Sequence, residues 1–168
     1  MINHLILLSI ILSRIGHDNH CHSISTIQYD LKQLEYLETE SVPVVGWQTD
    51  HFPAFYTRDS GLPVPHRVDD AESAAQIHLA RRELRQGGTL LVAPIPAADE
   101  LNATEINRVI EESLSDLRDR KISGPQVTPH VLSELEKATA GESVSANLSL
   151  AEHNALIAAE IAVQISAQ

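Results

Sequence analysis

Two hydrophobic patterns alternate along the chain. One repeats every three or four residues, which lines one face of a helix; the other is a short unbroken apolar run, as in a strand covered on both faces. Residues 28–39 carry Leu31, Leu34 and Leu37 at spacing three and predict a helix of about three turns. Residues 42–46 then read as a short apolar strand, 53–57 as a second, and 89–95 as a third that Pro94 and Pro96 stop from pairing further. Asp69 with Glu72 three residues on has the form of a capping box and opens a helix to about Gln86, with Ala74, Ile77, Ala80 and Leu84 facing inward. Gly87 and Gly88 end it.

The second half of the chain predicts three more helices. Asn102 and Glu105 cap one whose Ile106, Val109, Ile110, Leu114 and Leu117 form a core stripe, with Glu111, Glu112, Asp116, Arg118, Asp119 and Arg120 on its solvated face. Thr128 and Pro129 read as N-cap and first residue of the next, since proline lacks an N–H that would be orphaned there, and Gly141 stops it. After a loop over 142–145, a last helix begins near Ala146 and carries Leu150, Asn154, Ile157, Ala158, Ile161 and Ile165 along one side. Five helices and three strands imply an α/β protein of three-layer α/β/α type. It is helix-rich, and its sheet is too small for the covered parallel arrangement the strands call for, hence incomplete.

Composition narrows the function classes. At 168 residues and 43% hydrophobic content the chain is one domain with enough material for a core. A net charge of −11 argues against a nucleic-acid partner, which requires a basic patch. The single Cys21 rules out an internal disulfide and fits a reducing, intracellular compartment such as the cytoplasm. Residues 5–12 are apolar but too short to span a bilayer, where about 20 residues are needed, and no basic flank marks a signal peptide, so no membrane role is expected. His17, Asp18, His20, Cys21 and His22 are metal-capable, yet a structural zinc site takes four ligands at regular spacing and no second pair follows. Residues 1–24 are therefore read as a disordered extension and no metal ligand is assigned.

Candidate chemistry concentrates in residues 42–68. This stretch holds Trp47, both phenylalanines, Pro43, Pro53, Pro63 and Pro65, and the polar groups Asp50, His51, Arg58, Asp59, His66 and Arg67. A chain leaving a strand end in an open α/β sheet forms the crevice where ligands bind. Arg58 with Ser60 and Gly61 offers an anion a planar fork of donors and open backbone N–H groups. The plainer alternative makes the aromatics core and Arg58 half of a surface ion pair. Asn147 and Asn154, two turns apart, can present two amides from one helix face, although Asn147 also reads as an N-cap.

The strings Leu34-Glu35-Tyr36-Leu37-Glu38-Thr39, Gly46 to Arg58, Gly61 to Arg67, Val127-Thr128-Pro129, and Ala146-Asn147 to Asn154-Ala155 resemble the pseudouridine-5'-phosphate glycosidase family, also called indigoidine synthase A-like. The likeness covers roughly residues 25–168 and only the C-terminal half of a family member. The resemblance implies an α/β/α domain, a homotrimer, and reversible cleavage of the C–C glycosidic bond of pseudouridine 5'-phosphate to uracil and ribose 5-phosphate with manganese. It implies a glycosidase, a hydrolase or lyase by class, whose lysine forms an imine as electron sink while a carboxylate moves protons. Here the lysine position falls on Ser25, which cannot form an imine, and Lys32 lies on the wrong side of the motif. The catalytic glutamate and the metal aspartate belong to the half not matched.

His51 replaces a usual acidic residue, and Ala93-Pro94-Ile95-Pro96 is one residue shorter than the family's version. By resemblance, Asn147 and Asn154 are the leading substrate contacts, followed by Thr49, Asp50, Arg58 and His66. Two further readings compete with a truncated family member lacking its own catalytic lysine. One is a non-catalytic interaction or oligomerisation remnant, and the other a small metal module built on the His and Cys tract.

Overall fold

Val44 and Leu90 sit side by side in a parallel pairing at the centre of the fold, both almost fully buried. The molecule, a computed structural model, is described over residues 9–15, 18–24, 31–54 and 56–168. Its strands are β1 (Ser9–Ile15), β2 (Asp18–Ile24), β3 (Val44–Trp47), β4 (His66–Val68) and β5 (Thr89–Val92). Its helices are α1 (Leu31–Thr39), α2 (Ala71–Glu83), α3 (Ala103–Asp119), α4 (Val127–Ala138) and α5 (Glu142–Ser166), with a 3-10 turn at Gly124–Gln126 before α4. The sheet runs β2-β1-β5-β3-β4. β3 is parallel to both β5 and β4, whereas the β1–β2 hairpin adds antiparallel to β5. That hairpin falls within residues 1 to 24, the stretch read from sequence as an extension.

Alternation along the parallel strands sorts side chains into two apolar layers. Val45, Trp47, Leu91 and Ala93 point to one face, where Ala74 and Ala75 of α2 and Ile157 and Ile161 of α5 cover them. Val44, Leu90 and Val92 point to the other, covered by Phe52, Leu62 and Val64 of the β3–β4 connection and by Leu34 and Leu37 of α1. A third cluster joins α3, α4 and the first half of α5 around Ile110, Leu117, Val131, Leu135 and Leu150. The three-layer α/β reading and its helix-rich, three-strand parallel sheet therefore hold.

Local readings need four corrections. Residues 53, 54, 56 and 57 lie in no strand: Phe52, Pro53, Tyr56 and Thr57 are buried because this connection plugs the layers, and Pro53 has no N–H to give a ladder. The third parallel strand is β4, whose single inward side chain is Val68. α2 is capped by Asp70, which accepts from the Ser73 N–H at 2.7 Å, one residue later than the box suggests, and it buries Ala74, Ala75, His78 and Leu79 while Leu84 is exposed. α4 starts at Val127, leaving Pro129 inside its first turn, where a missing N–H still costs no intrahelical bond, and α5 starts at Glu142, so Asn147 is no N-cap.

Gly141, at φ +92°, makes the left-handed link between α4 and α5. At the end of β3, a Cβ on Gly46 would lie 2.2 Å from the carbonyl oxygen of Thr49, so only glycine lets the chain turn back over the strand. Among the described residues no helix is long and apolar enough to cross a membrane.

Candidate functional site

The carboxyl end of β5 releases a loop whose polar contacts gather three segments. Arg58 Nη1 donates to the Ile95 carbonyl at 2.6 Å and the Arg58 backbone N–H donates to Glu100 Oε1 at 2.8 Å. The Leu101 N–H donates to the Tyr56 carbonyl at 3.0 Å. Ser149 Oγ of α5 donates to Asp99 Oδ2 at 2.6 Å. Residues 56–58, the 93–101 loop and α5 are thereby one hydrogen-bonded unit.

Electrostatics show how tightly this unit is packed. Burial pushes the Tyr56 phenol up to about 12, a rise moderated by its hydrogen bond to Ser143, so the ring serves as a neutral strut. The half-buried His153 is held below its ordinary value, first by burial and then by the Arg58 charge, against an opposing pull from Glu160. Arg58 therefore lies within electrostatic reach of α5, one residue from Asn154. Asn154 itself is 2% exposed on the buried side of α5, while Asn147, two turns earlier, is half-buried.

Other sequence candidates lie elsewhere. Thr49 Oγ1 donates to the His51 carbonyl at 2.9 Å and accepts the His51 N–H at 3.2 Å, closing a turn after β3. Asp50 accepts from Arg67 Nη1 at 2.7 Å, and Asp69 accepts from Arg67 Nε at 2.9 Å; together the two carboxylates, Asp69 first, raise the guanidinium's pKa further. His66 opens β4 beside Val45, near the amino ends of the strands, and lines a cavity of about 500 Å³ with Leu34, Val42, Pro63 and Pro65. The six candidates thus do not form one site: Arg58 acts on α5 at His153, Asn147 and Asn154 lie on another side of that helix, Thr49 and Asp50 sit in the turn after β3, and His66 lines the cavity at the amino ends.

The proposed anion cradle of Arg58, Ser60 and Gly61 does not form. Ser60 Oγ donates to the Phe52 carbonyl and the Gly61 N–H donates to Asp59 Oδ1, so both are spent on the loop itself. Sequence reasoning passed over Asp99, Glu100, Ser149 and His153. The spacing of Ser149 and His153, four apart on one helix, was the available signal.

Ser25, the position of the family lysine, lies outside the described residues, as do the side chains of the His and Cys tract. Lys121 follows α3, and Lys137 pairs with Glu134 on α4. Among the described residues no group of three or more His, Cys, Asp or Glu side chains can hold a metal ion.

Comparisons with known proteins agree on one relationship. Over 135 residues the chain is 47% identical to the pseudouridine-5'-phosphate glycosidase of Methylobacterium nodulans, covering 80% of this chain and 40% of that protein. The protein of the same name from Petrotoga mobilis is 42% identical over 133 residues, covering 79% and 44%. The chain thus spans less than half the length of the curated relatives it matches. Among solved structures it superposes on the prealnumycin C-glycosynthase AlnA in complex with ribulose 5-phosphate, with a TM-score of 0.73 and 34% identity over 82% of this chain and 46% of that one. An indigoidine synthase A-like protein of Thermotoga maritima gives a TM-score of 0.67 and 35% identity over 79% and 44%. The family profile described as Indigoidine synthase A like protein matches residues 21–164, and the chain belongs to that family.

Proposed function

We propose that this chain forms one wall of a sugar-phosphate pocket in a pseudouridine-5'-phosphate glycosidase, an enzyme that reversibly cleaves the C–C glycosidic bond of pseudouridine 5'-phosphate to uracil and ribose 5-phosphate. The observation that carries the reading is the 47% identity to the Methylobacterium nodulans glycosidase across four-fifths of the chain. The AlnA structure, with its bound ribulose 5-phosphate, supports a pentose phosphate as the kind of ligand.

In this reading the wall orients and does not break bonds. Asn147, half-buried on α5, presents amide donor and acceptor to the ligand, and the Arg58–Ile95 and Ser149–Asp99 bonds fix the loop after β5 against Arg58 and α5. The family's imine-forming position falls on Ser25 of this chain, which cannot form an imine, while the carboxylate that moves protons and the ligands of a divalent cation would come from the portion of the family's length that this chain does not span. A trimeric assembly, as the resemblance implies, belongs to the same proposal.

Two incubations test it, each with ribose 5-phosphate, uracil and manganese. The 168-residue chain is expected to give no pseudouridine 5'-phosphate and no borohydride-trapped imine. A chimera in which residues 31–168 replace the matching stretch of the Methylobacterium nodulans enzyme is expected to give product. Turnover by the chain alone would overturn the division of labour. A folded but inactive chimera would favour the second reading, a non-catalytic interaction protein, for which the exposed apolar face of α5 speaks.

A further inference from the structure

Four of the six exposed large apolar side chains among the described residues lie on α5: Val144, Leu148, Leu156 and Val163, each between 54% and 64% exposed. With 3.6 residues per turn they fall within about 120° of arc, opposite the buried Ala146, Leu150, Ile157 and Ile161. Ala155, Ala159 and Ala162 are exposed on the same arc. Glu152 and Ser145 are exposed on that arc too, so α5 carries large apolar side chains on its outer as well as its buried side, the outer face interrupted by one carboxylate. Its charged residues are Glu142, Glu152 and Glu160, with no lysine or arginine.

We propose that the outer face of α5 seats the rest of the family's domain, the portion of length that this chain does not span. The proposal rests on family membership and not on the reaction. The chain covers between 40% and 46% of the relatives and solved structures described above, so each carries a further polypeptide mass of more than equal size. Two other occupants fit less well. A second copy pairing through α5 alone would cover a stripe roughly 37 Å long and about 10 Å wide on each helix. That is on the order of 700 Å² in total, short of the roughly 1,200 Å² of a stable interface, and it opposes Glu152 and Glu160 to their own kind. An anionic membrane is disfavoured by the same acids and by the net charge of −11. The occupant that fits is an apolar polypeptide surface wider than one helix, with basic residues at its rim.

The chimera described above tests this through its thermal midpoint. The Leu148→Glu/Leu156→Glu double variant is expected to lower the midpoint by about 5–10 °C, and Leu84→Glu to shift it by about 1 °C or less. Leu84 is 69% exposed at the C-terminal cap of α2, outside α5, and serves as the control. Equal shifts in the two variants, no shift in either, or a chimera that fails to fold would each overturn the proposal. So would light scattering that shows the 168-residue chain pairing with itself and losing the pair in the double variant. Turnover is read separately: a stable but inactive chimera leaves the docking face standing and counts against the proposed reaction.

Discussion

Arg58 donates a guanidinium N–H hydrogen bond to the carbonyl of Ile95, a residue with no exposed surface, across 2.6 Å. Ile95 is fully buried, so the bond gives its carbonyl oxygen a donor where water does not reach. Replacing Arg58 with alanine is expected to cost about 1–3 kcal/mol, the range for a buried polar group that loses its partner. Urea denaturation of the 168-residue chain measures it. An unchanged midpoint would show that water reaches the Ile95 carbonyl.

Gly46→Ala is expected to be more damaging than its size suggests. The added methyl meets the Thr49 carbonyl oxygen at 2.2 Å and Val64 Cγ2 at 2.9 Å, and neither backbone nor packed valine can retreat cheaply. A loss of about 3 kcal/mol is the expected scale for overpacking against a fixed backbone. A variant as stable as the parent would mean the turn after β3 has another low-energy form.

His78 gives the fold an acid sensitivity well above the carboxylate range. It is buried on α2, its Nε2 has no hydrogen-bond partner among the described residues, and its pKa is lowered from the ordinary 6.5, first by burial and then by Arg82 and Arg81. The unfolded chain thus binds a proton more readily than the folded one. Stability is present above pH 6.5 and is lost as pH falls from there through the folded value. His153 carries a shift of the same direction and adds to the effect. The expected result is a denaturation midpoint that declines between pH 7 and pH 5, with a shallower decline in His78→Leu. An identical decline in that variant would place the sensitivity elsewhere.

Asn147 and Asn154 should separate function from scaffolding. In the chimera, Asn147→Ala is expected to lower kcat/KM about tenfold with the thermal midpoint unmoved, the loss of one hydrogen bond to a ligand. Asn154→Ala, at a site 2% exposed between two core layers, is expected to lower the midpoint. The reverse pattern would exchange their roles.

Patterns long enough to repeat were readable in the sequence. α3 shows this best: Asn102 caps it through the Glu105 N–H, and Ile106, Val109, Ile110 and Leu117 are buried as their spacing requires. β3 and β5 were likewise visible, because strands covered on both faces are apolar without interruption. Short or ambiguous patterns misled. The burial of Phe52 and Tyr56 was correctly signalled by their bulk, but bulk does not distinguish a plug from a strand. β4 has three residues, two of them exposed, and offers no period to detect. In α2 the many alanines are compatible with several faces, so the inward set was misjudged by a rotation.

The candidate site was legible in neighbourhood only. Residues 42–68 do supply Arg58, yet its partners Ile95 and Glu100 lie about forty positions on and meet it only because β5 ends beside the β3–β4 connection. Nothing local in the sequence announces a contact across that separation. His66 illustrates the opposite failure: its place in the same string put it with the others, while three residues of strand carry it to the far end of the sheet.

α5 is shared property. Its first half lends Ala146 and Leu150 to the helical cluster with α3 and α4, and its second half lends Ile157 and Ile161 to the layer over the sheet. A rod embedded at both ends cannot be peeled from one without loosening its grip on the other. Amide protons of α3 and of β3 should therefore exchange with solvent in step, as though one hinge pin held two doors.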